Sequence, residues 1–210
     1  MARHQWYHGL MKTAQRRLTY PELRMMPGIG ERYELIDGEL FLDGERVFLS
    51  PDHLATEARM TPAPNVKHQR VLRRLFTKMN NHVEAHQLGE VFVAPVDVVF
   101  DENTTLQPDI LFVSSARRGI IGPEYVLGPP DLVVEILSPY RVPHDRVTKF
   151  AQYAHYGVGE YWIVDPVAES EVYRLAGSKY ELTASLSGDQ TLETPLLPGW
   201  QVIVRDLFAA

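Results

Sequence analysis

The chain has 210 residues, of which 45% are hydrophobic and 23% are charged. These are the values of an ordinary globular protein of about one domain. Because it contains no cysteine, disulfides, thiolate metal sites and cysteine nucleophiles are excluded. It has neither an apolar run long enough to span a bilayer nor a signal-peptide core at its start, so we expect a cytoplasmic location and no membrane contact.

The charge is unevenly distributed along the chain. The formal net charge of −6 argues against a protein that coats nucleic acid. Residues 1–24 carry five basic residues against one acidic residue, a net charge of +4, which leaves −10 on the remainder. We therefore expect a basic N-terminal extension with a helix over 1–24 and a single domain over 25–210. The extension either contacts phosphates or is solvated.

The first elements are a short helix and a set of hairpins. Thr19 followed by Tyr20 and Pro21 predicts a helix start, with Thr19 as N-cap and proline in the first turn. Residues 32–50 contain Asp-Gly turns at 37–38 and 43–44 between alternating apolar residues. This pattern predicts an antiparallel meander.

The longest predicted helix begins at Val66 and continues to about residue 88. Pro62 and Pro64 end the loop before it, and Asn65 can act as its N-cap. Gly89 stands where a C-cap belongs. Its apolar residues recur at helical spacing and give it one buried face: Val71, Leu72, Leu75, Phe76 and Met79.

The second half of the chain alternates strands with one further helix. Strands are predicted near 90–94, 96–100, 109–113, 132–137 and 160–166. A helix is predicted from about 145 to 156, ended by Gly157, and a terminal hairpin turns at Gly177 and Ser178. This order predicts an α/β or α+β domain in which helices pack on a mixed sheet.

Two carboxylates interrupt otherwise apolar strands. Asp109 opens "DILFV", and Glu135 stands in the middle of "LVVEIL". An ionised carboxylate is costly to bury unless a cation or hydrogen-bond donors compensate it. Adjacent strands lie about 4.8 Å apart, so the two side chains can meet at a common cation. Magnesium, or manganese in its place, suits a site of one or two carboxylates completed by water.

The helix that follows the Glu135 strand supplies a candidate ammonium. Lys149 is placed in its first turn, where it can position a nucleophile or a phosphate. Tyr153 lies one turn further on the same face and can assist. Alternatively, Asp109 and Glu135 are satisfied by backbone donors and Lys149 is solvated. The ordered triple favours a metal site for phosphodiester hydrolysis.

These segments resemble the Uma family of restriction-endonuclease-like proteins, within the PD-(D/E)XK nuclease superfamily. The resemblance runs from about Tyr33 to Tyr173 and implies a restriction-endonuclease-like fold. In that fold a mixed central sheet is flanked by helices, with an N-terminal antiparallel meander and a C-terminal hairpin. The matching segments are "YELIDGEL", "KHQRVLRRL", "QPDILFV", "LVVEILSP", "TKFAQYAHYGVGEYWIVDP" and "VYRL".

The resemblance also implies roles for individual residues. Asp109 matches the aspartate of the Pro-Asp strand and Glu135 the glutamate of the next strand, and the backbone carbonyl of Ile136 is implied as a further metal ligand. The lysine expected two residues after the glutamate is replaced by Leu137. Lys149, in the following helix, stands where this family has moved it.

Two further positions are implied less sharply. An early acidic residue often joins such sites, and here the candidates are Glu34 and Glu39. The sequence does not choose between them, although Glu39, just beyond the first Asp-Gly turn, is slightly preferred. His68, at the start of the long helix, either contacts a phosphate or the metal shell, or it packs and caps.

The sequence therefore predicts a magnesium- or manganese-dependent endonuclease that acts on DNA. A homodimer is plausible because cleavage of a duplex needs two active sites. Two alternatives remain: a catalytically silent, nuclease-like binding module, and a hydrolase of another phosphate ester. No organic cofactor is predicted.

Overall fold

The structure, a computed structural model, describes residues 17–25, 33–47, 65–138, 142–166 and 169–209. Most of the predicted basic extension, the end of the predicted meander and the loop with Pro62 and Pro64 lie outside the described residues. Within these ranges, no helix combines the length and apolar character needed to cross a membrane.

The described residues form a mixed set of strands with one long helix and several short ones. The helices are α1 (Tyr20–Met25), α2 (Val66–His86), α3 (Phe150–Tyr156) and α4 (Val204–Phe208). A 3-10 helix covers Ser115–Ile120, and a π-helical segment, His144–Lys149, continues directly into α3. The strands are β1 (Tyr33–Ile36), β2 (Glu39–Leu42), β3 (Glu45–Arg46), β4 (Gly89–Val93), β5 (Val98–Asp101), β6 (Thr104–Leu106), β7 (Ile110–Ser114), β8 (Val126–Leu127), β9 (Leu132–Ile136), β10 (Glu160–Val164), β11 (Ser170–Ala176), β12 (Lys179–Leu186), β13 (Thr191–Glu193) and β14 (Gln201–Ile203).

Two six-stranded sheets make up most of the fold. The meander sheet has the order β3-β2-β1-β6-β5-β8, and the central sheet has the order β12-β11-β10-β9-β7-β4. In the central sheet β9 and β10 run parallel, whereas the other neighbours are antiparallel. The predicted mixed central sheet, N-terminal meander and C-terminal hairpin are therefore confirmed.

The central strands are buried on both faces, which explains their continuous apolar sequences. On β9, Val134 and Ile136 pack in the core shared with α2. Val133 and Leu137 pack in the core shared with α3 and the meander sheet. Because side chains alternate along a strand, Glu135 belongs to this second face. The carboxylate is thus directed into the space between the two sheets.

Helix α2 begins as predicted but ends differently. The side-chain oxygen of Asn65 accepts a hydrogen bond of 2.9 Å from the backbone N–H of His68. The C-cap is Gln87, in the left-handed conformation with φ of 53°, and the prediction that Gly89 caps the helix is wrong. Gly89 instead begins β4, where a Cβ would lie 2.1 Å from the carbonyl oxygen of Val113. The close pairing of β4 with β7 is what requires glycine there.

The second turn of the meander lies against the π-helical segment. Asp43 and Gly44 have φ of 51° and 83°, the pair of positive values that a tight hairpin turn requires. A Cβ on Gly44 would lie 2.9 Å from the Cβ of His144. The glycine therefore permits both the turn and the close approach of the meander sheet to this segment.

This contact can be tested with Gly44→Ala. The variant has to bear a left-handed alanine, at about 1 kcal/mol, and in addition an overpacked contact with His144, at about 1–3 kcal/mol. Gly177→Ala is the matched control, because its φ is 65° but nothing lies within 4 Å of the added Cβ. Urea unfolding should show the larger loss for Gly44→Ala. Equal losses would show that the close approach to His144 is not a constraint.

Candidate functional site

A fully buried ammonium, that of Lys149, lies at the centre of the site. Its Nζ lies 2.7 Å from Oε1 of Glu34 and 3.0 Å from Oε1 of Glu135. Asp145, four residues earlier on the same segment, is 4.0 Å away. The carbonyl oxygen of Gln107 accepts a further hydrogen bond of 3.4 Å from Nζ. The lysine is therefore enclosed by three carboxylates. The alternative prediction, that Lys149 is solvated, is wrong.

The π-helical segment and α3 place two side chains on Glu135. Lys149 is the last residue of the π-helical segment, and Tyr153 follows four residues later in α3. The phenolic hydroxyl of Tyr153, also fully buried, donates a hydrogen bond of 2.8 Å to Oε1 of Glu135. Lys149 and Tyr153 thus share one carboxylate oxygen. Together with Glu34, these three are residues predicted from the sequence that the structure joins through the Lys149 ammonium.

The meander sheet contributes Glu34, from β1. Its Oε1 accepts a hydrogen bond of 3.0 Å from the backbone N–H of Gln107, and its Oε2 lies 2.9 Å from Nε2 of His144. Glu39 lies at the turn end of the same hairpin, where Arg46 pairs with it. Its side chain is 38% exposed. The slight preference for Glu39 is corrected by this geometry, since Glu34 is the glutamate that lies in the cluster.

Asp109 joins the cluster at its edge. It directly precedes β7 instead of lying within it, and its Oδ2 accepts a hydrogen bond of 2.7 Å from the backbone N–H of Ile136. The same oxygen lies 3.1 Å from Nε2 of His68. The Ile136 amide therefore ties Asp109 to the strand of Glu135. The predicted role of the Ile136 carbonyl as a metal ligand remains a prediction.

Burial and charge affect the carboxylates in opposite directions. Burial favours the neutral form of Glu34, but Lys149 and His144 outweigh it and lower the pKa. Burial likewise opposes ionisation of Asp109, whereas His68 and the Ile136 amide lower its pKa. The pKa of Glu135 is raised well above its ordinary value, because burial and the nearby carboxylates outweigh Lys149. The cluster therefore holds more carboxylate than cation.

A divalent cation fits the chemistry of two of these side chains. Both hydrogen bonds of Asp109 use Oδ2 and both of Glu135 use Oε1. Within the described ranges, Oδ1 of Asp109 and Oε2 of Glu135 accept none. No set of three or more His, Asp or Glu side chains among the described residues is arranged to hold a metal ion. An ion at this pair would thus keep several waters, as Mg²⁺ does.

A cleft of about 800 Å³ opens beside the cluster. Glu34, His68 and Asp109 line it, whereas Glu135, Lys149 and Tyr153 lie behind them, outside its lining. A concave site of this volume suits a small part of a larger ligand, such as one or two nucleotides. The remaining lining comes from the first half of α2, the end of β4 with the two residues after it, and Gln107.

Three residues of the cluster were not predicted from the sequence: Gln107, His144 and Asp145. Asp145 stands four residues before Lys149, so helical spacing alone was a usable signal. His144 has no such signal, because its partner Glu34 is 110 residues away. The side-chain amide of Gln107 donates a hydrogen bond of 2.8 Å to Asp97. This bond fixes the segment whose backbone contacts both Glu34 and Lys149.

The raised pKa of Glu135 predicts a pH dependence of stability. The folded protein binds the carboxyl proton of Glu135 more tightly than the unfolded chain does. The free energy of unfolding therefore decreases as the pH rises above about 4.3, until the pH passes the raised pKa. Glu135→Gln removes this loss. The measurement is urea unfolding in EDTA at a series of pH values. The free energy of unfolding of the variant, relative to that of the wild type, should rise by up to about 1.4 kcal/mol per pH unit. Glu34 and Asp109, whose pKa values are lowered, are present in the wild type and in Glu135→Gln alike, so they change the difference in stability between the two proteins little.

Glu181→Gln serves as the control for this prediction, since Glu181 is exposed. Its stability should follow that of the wild type at every pH. If Glu135→Gln also runs parallel to the wild type between pH 5 and 8, Glu135 is ionised throughout and the account of an excess of carboxylate is wrong.

Removing the central cation should be costly. Lys149→Met leaves Glu34 and Glu135 buried without their partner, at a cost of about 3–5 kcal/mol. Combining it with Glu135→Gln removes the carboxyl group that is otherwise left without a cation, so the free energy of unfolding of the double variant should fall by less than the sum of the two single changes. Urea unfolding of the four proteins at pH 7 measures this coupling. Additive losses would show that Lys149 and Glu135 do not interact.

Comparisons with known proteins identify the family and the fold. Residues 55–207 match the model of the family Uma2, described as "Putative restriction endonuclease". A solved structure, that of a "putative nuclease belonging to DUF820" from Anabaena variabilis ATCC 29413, superposes with a TM-score of 0.69. The two chains are 19% identical, and the match covers 91% of this chain and 97% of the other. No curated protein shows a significant sequence match. The fold of that protein is thus shared, and the chain belongs to the Uma2 family.

Proposed function

We propose that the protein is a metal-dependent endonuclease that hydrolyses phosphodiester bonds in DNA. The observation that carries the proposal is the set of buried carboxylates around Lys149, with Asp109 at the edge of an open cleft. Burying such a set of charged groups lowers the stability of a fold, so their presence points to a functional role. Membership of a restriction-endonuclease-like family supports the same reaction class.

Asp109, Glu135 and the carbonyl of Ile136 are the proposed ligands of Mg²⁺ or Mn²⁺. When bound, the ion would polarise the phosphate and lower the pKa of a water molecule. The residues of the chain hold these ligands in place. His68 and the Ile136 amide orient Asp109, while Lys149 and Tyr153 hold one oxygen of Glu135.

Lys149 acts in this arrangement as a positioning residue. Its side chain has no exposed surface, so in this state its ammonium orients carboxylates and does not reach the cleft. Glu34 and Glu135 come from different sheets, and the lysine fixes their separation. A contact between the ammonium and a phosphate would require Glu34 or Glu135 to release it to the substrate.

One observation favours a second candidate, a nuclease-like module that binds without turnover. Lys149 is already compensated by Glu34 at 2.7 Å and Glu135 at 3.0 Å, which is the geometry of a self-contained ion pair. The same cleft also suits a hydrolase of another phosphate ester, because its acidic floor does not select DNA.

Cleavage of supercoiled and linear DNA with Mg²⁺ or Mn²⁺ tests the proposal. The wild type and Glu181→Gln should cut, whereas Asp109→Asn and Glu135→Gln should lose at least about 100-fold in rate, since each removes a ligand charge. Urea unfolding shows whether these variants are still folded. We further propose that the enzyme acts in the cytoplasm and that it is a homodimer. Light scattering in the presence of duplex DNA measures the oligomeric state.

A wild type that binds Mn²⁺ but cuts no DNA would overturn the endonuclease proposal in favour of the binding module or another ester. Unfolding of both Asp109→Asn and Glu135→Gln would identify these carboxylates as structural.

A further inference from the structure

Helix α2 is the most basic element that the structure describes. Its sequence carries five lysine or arginine residues and one glutamate, a net charge of +4, in a chain whose formal net charge is −6. The apolar stripe that faces the core is buried, so the cations occupy the other faces. Arg74 bonds carbonyl oxygens of the C-terminal segment. Lys67, Arg70, Arg73 and Lys78 are exposed.

Two of these cations, Arg70 and Arg73, line the cleft beside the carboxylate cluster. Among the residues that the structure describes, neither side chain makes a hydrogen bond or an ion pair. Several arginines elsewhere in the described fold face carboxylates: Arg117 faces Asp131, Arg146 faces Glu171, and Arg174 faces Glu160. The cleft thus carries unpaired guanidinium groups although Glu34 and Asp109 lie in the same lining.

The placement of these arginines matches what a phosphate backbone needs. Three residues along a helix correspond to a rise of about 4.5 Å, so both side chains project from one face a turn apart. A guanidinium group binds phosphate oxygens in a bidentate manner and stays charged at every working pH. Both lie in the first half of α2, whose first turn has no acidic residue.

We propose that Arg70 and Arg73 bind the phosphate backbone of the DNA strand that enters the cleft, and hold that strand against Asp109. This inference rests on the proposed function and specifies how its substrate is held. The acidic cluster alone would repel a polyanion, and the two arginines supply the opposite charge at its border. Because both contacts are to phosphates, they contribute affinity without base specificity.

Binding is measured apart from cleavage, in EDTA, by the fluorescence anisotropy of a labelled 20-base-pair duplex and of its single strand. The proteins are the full-length wild type, the double variant Arg70→Ala/Arg73→Ala, and Lys78→Ala. Lys78 is the matched control, since it is exposed on the same helix but does not line the cleft. Urea unfolding should give the same stability for all three, because every altered side chain is exposed.

The double variant should bind at least about tenfold more weakly than the wild type, and Lys78→Ala within about twofold. The slope of log K against log salt should fall by about 1.8 on the duplex or about 1.4 on the single strand, as the loss of two phosphate contacts requires. Arg70→Lys/Arg73→Lys should restore most of the slope, since the charges are kept, but only part of the affinity.

The inference is overturned if the double variant binds like Lys78→Ala with an unchanged salt slope, or if the wild type binds neither probe. Its failure is distinguishable from that of the proposed function. Loss of binding in the double variant, with a wild type that cuts nothing in Mg²⁺ or Mn²⁺, supports the arginine contacts and overturns the endonuclease. If the wild type cuts DNA and the double variant binds it as tightly as the wild type, the endonuclease is supported and the arginine contacts are overturned.

Discussion

The structure depends on the burial of one ammonium group. An unpaired lysine inside a protein costs several kcal/mol, so Lys149 has to be surrounded by oxygen ligands as the chain folds. Glu34 reaches it from the meander sheet and Glu135 from the central sheet, while Asp145 belongs to the same helical segment as the lysine. The ion pairs therefore join two sheets whose described strands share no hydrogen-bonded ladder.

The same arrangement leaves the cluster short of positive charge. Glu34 is well compensated, because it has His144 as well as Lys149, and its pKa is lowered. Glu135 is deeply buried, shares the lysine with Glu34 and has other carboxylates nearby, so its pKa is raised. A divalent cation beside Asp109 and Glu135 would relieve this imbalance. This electrostatic imbalance supports the proposed chemistry. Arg70 and Arg73, whose side chains have no partner among the described residues, supply positive charge at the border of the cleft.

The parts of the fold and site that the sequence predicted are those carried by local patterns. Two Asp-Gly turns predicted the meander, and continuous apolar runs predicted the central strands. Helical spacing placed Tyr153 one turn beyond Lys149. The strands that went unpredicted, β6, β8, β13 and β14, have only two or three residues each. A period of two residues cannot be recognised over so short a length.

Local sequence patterns do not identify which of Glu34 and Glu39 lies in the carboxylate cluster. The two glutamates lie on the same face of the hairpin, because Glu34 pairs with Phe41 and Glu39 with Ile36. What separates them is the packing of the hairpin against the π-helical segment, through Gly44 and His144. That contact joins residues about a hundred positions apart, so no pattern within the hairpin contains it.

The most direct test of the central claim is to locate Mn²⁺ in crystals by anomalous diffraction. The account predicts one peak within bonding distance of Oδ1 of Asp109 and Oε2 of Glu135, with Lys149 still against Glu34. A protein that takes up Mn²⁺ only elsewhere, and leaves this pair of carboxylates without an ion, would contradict it.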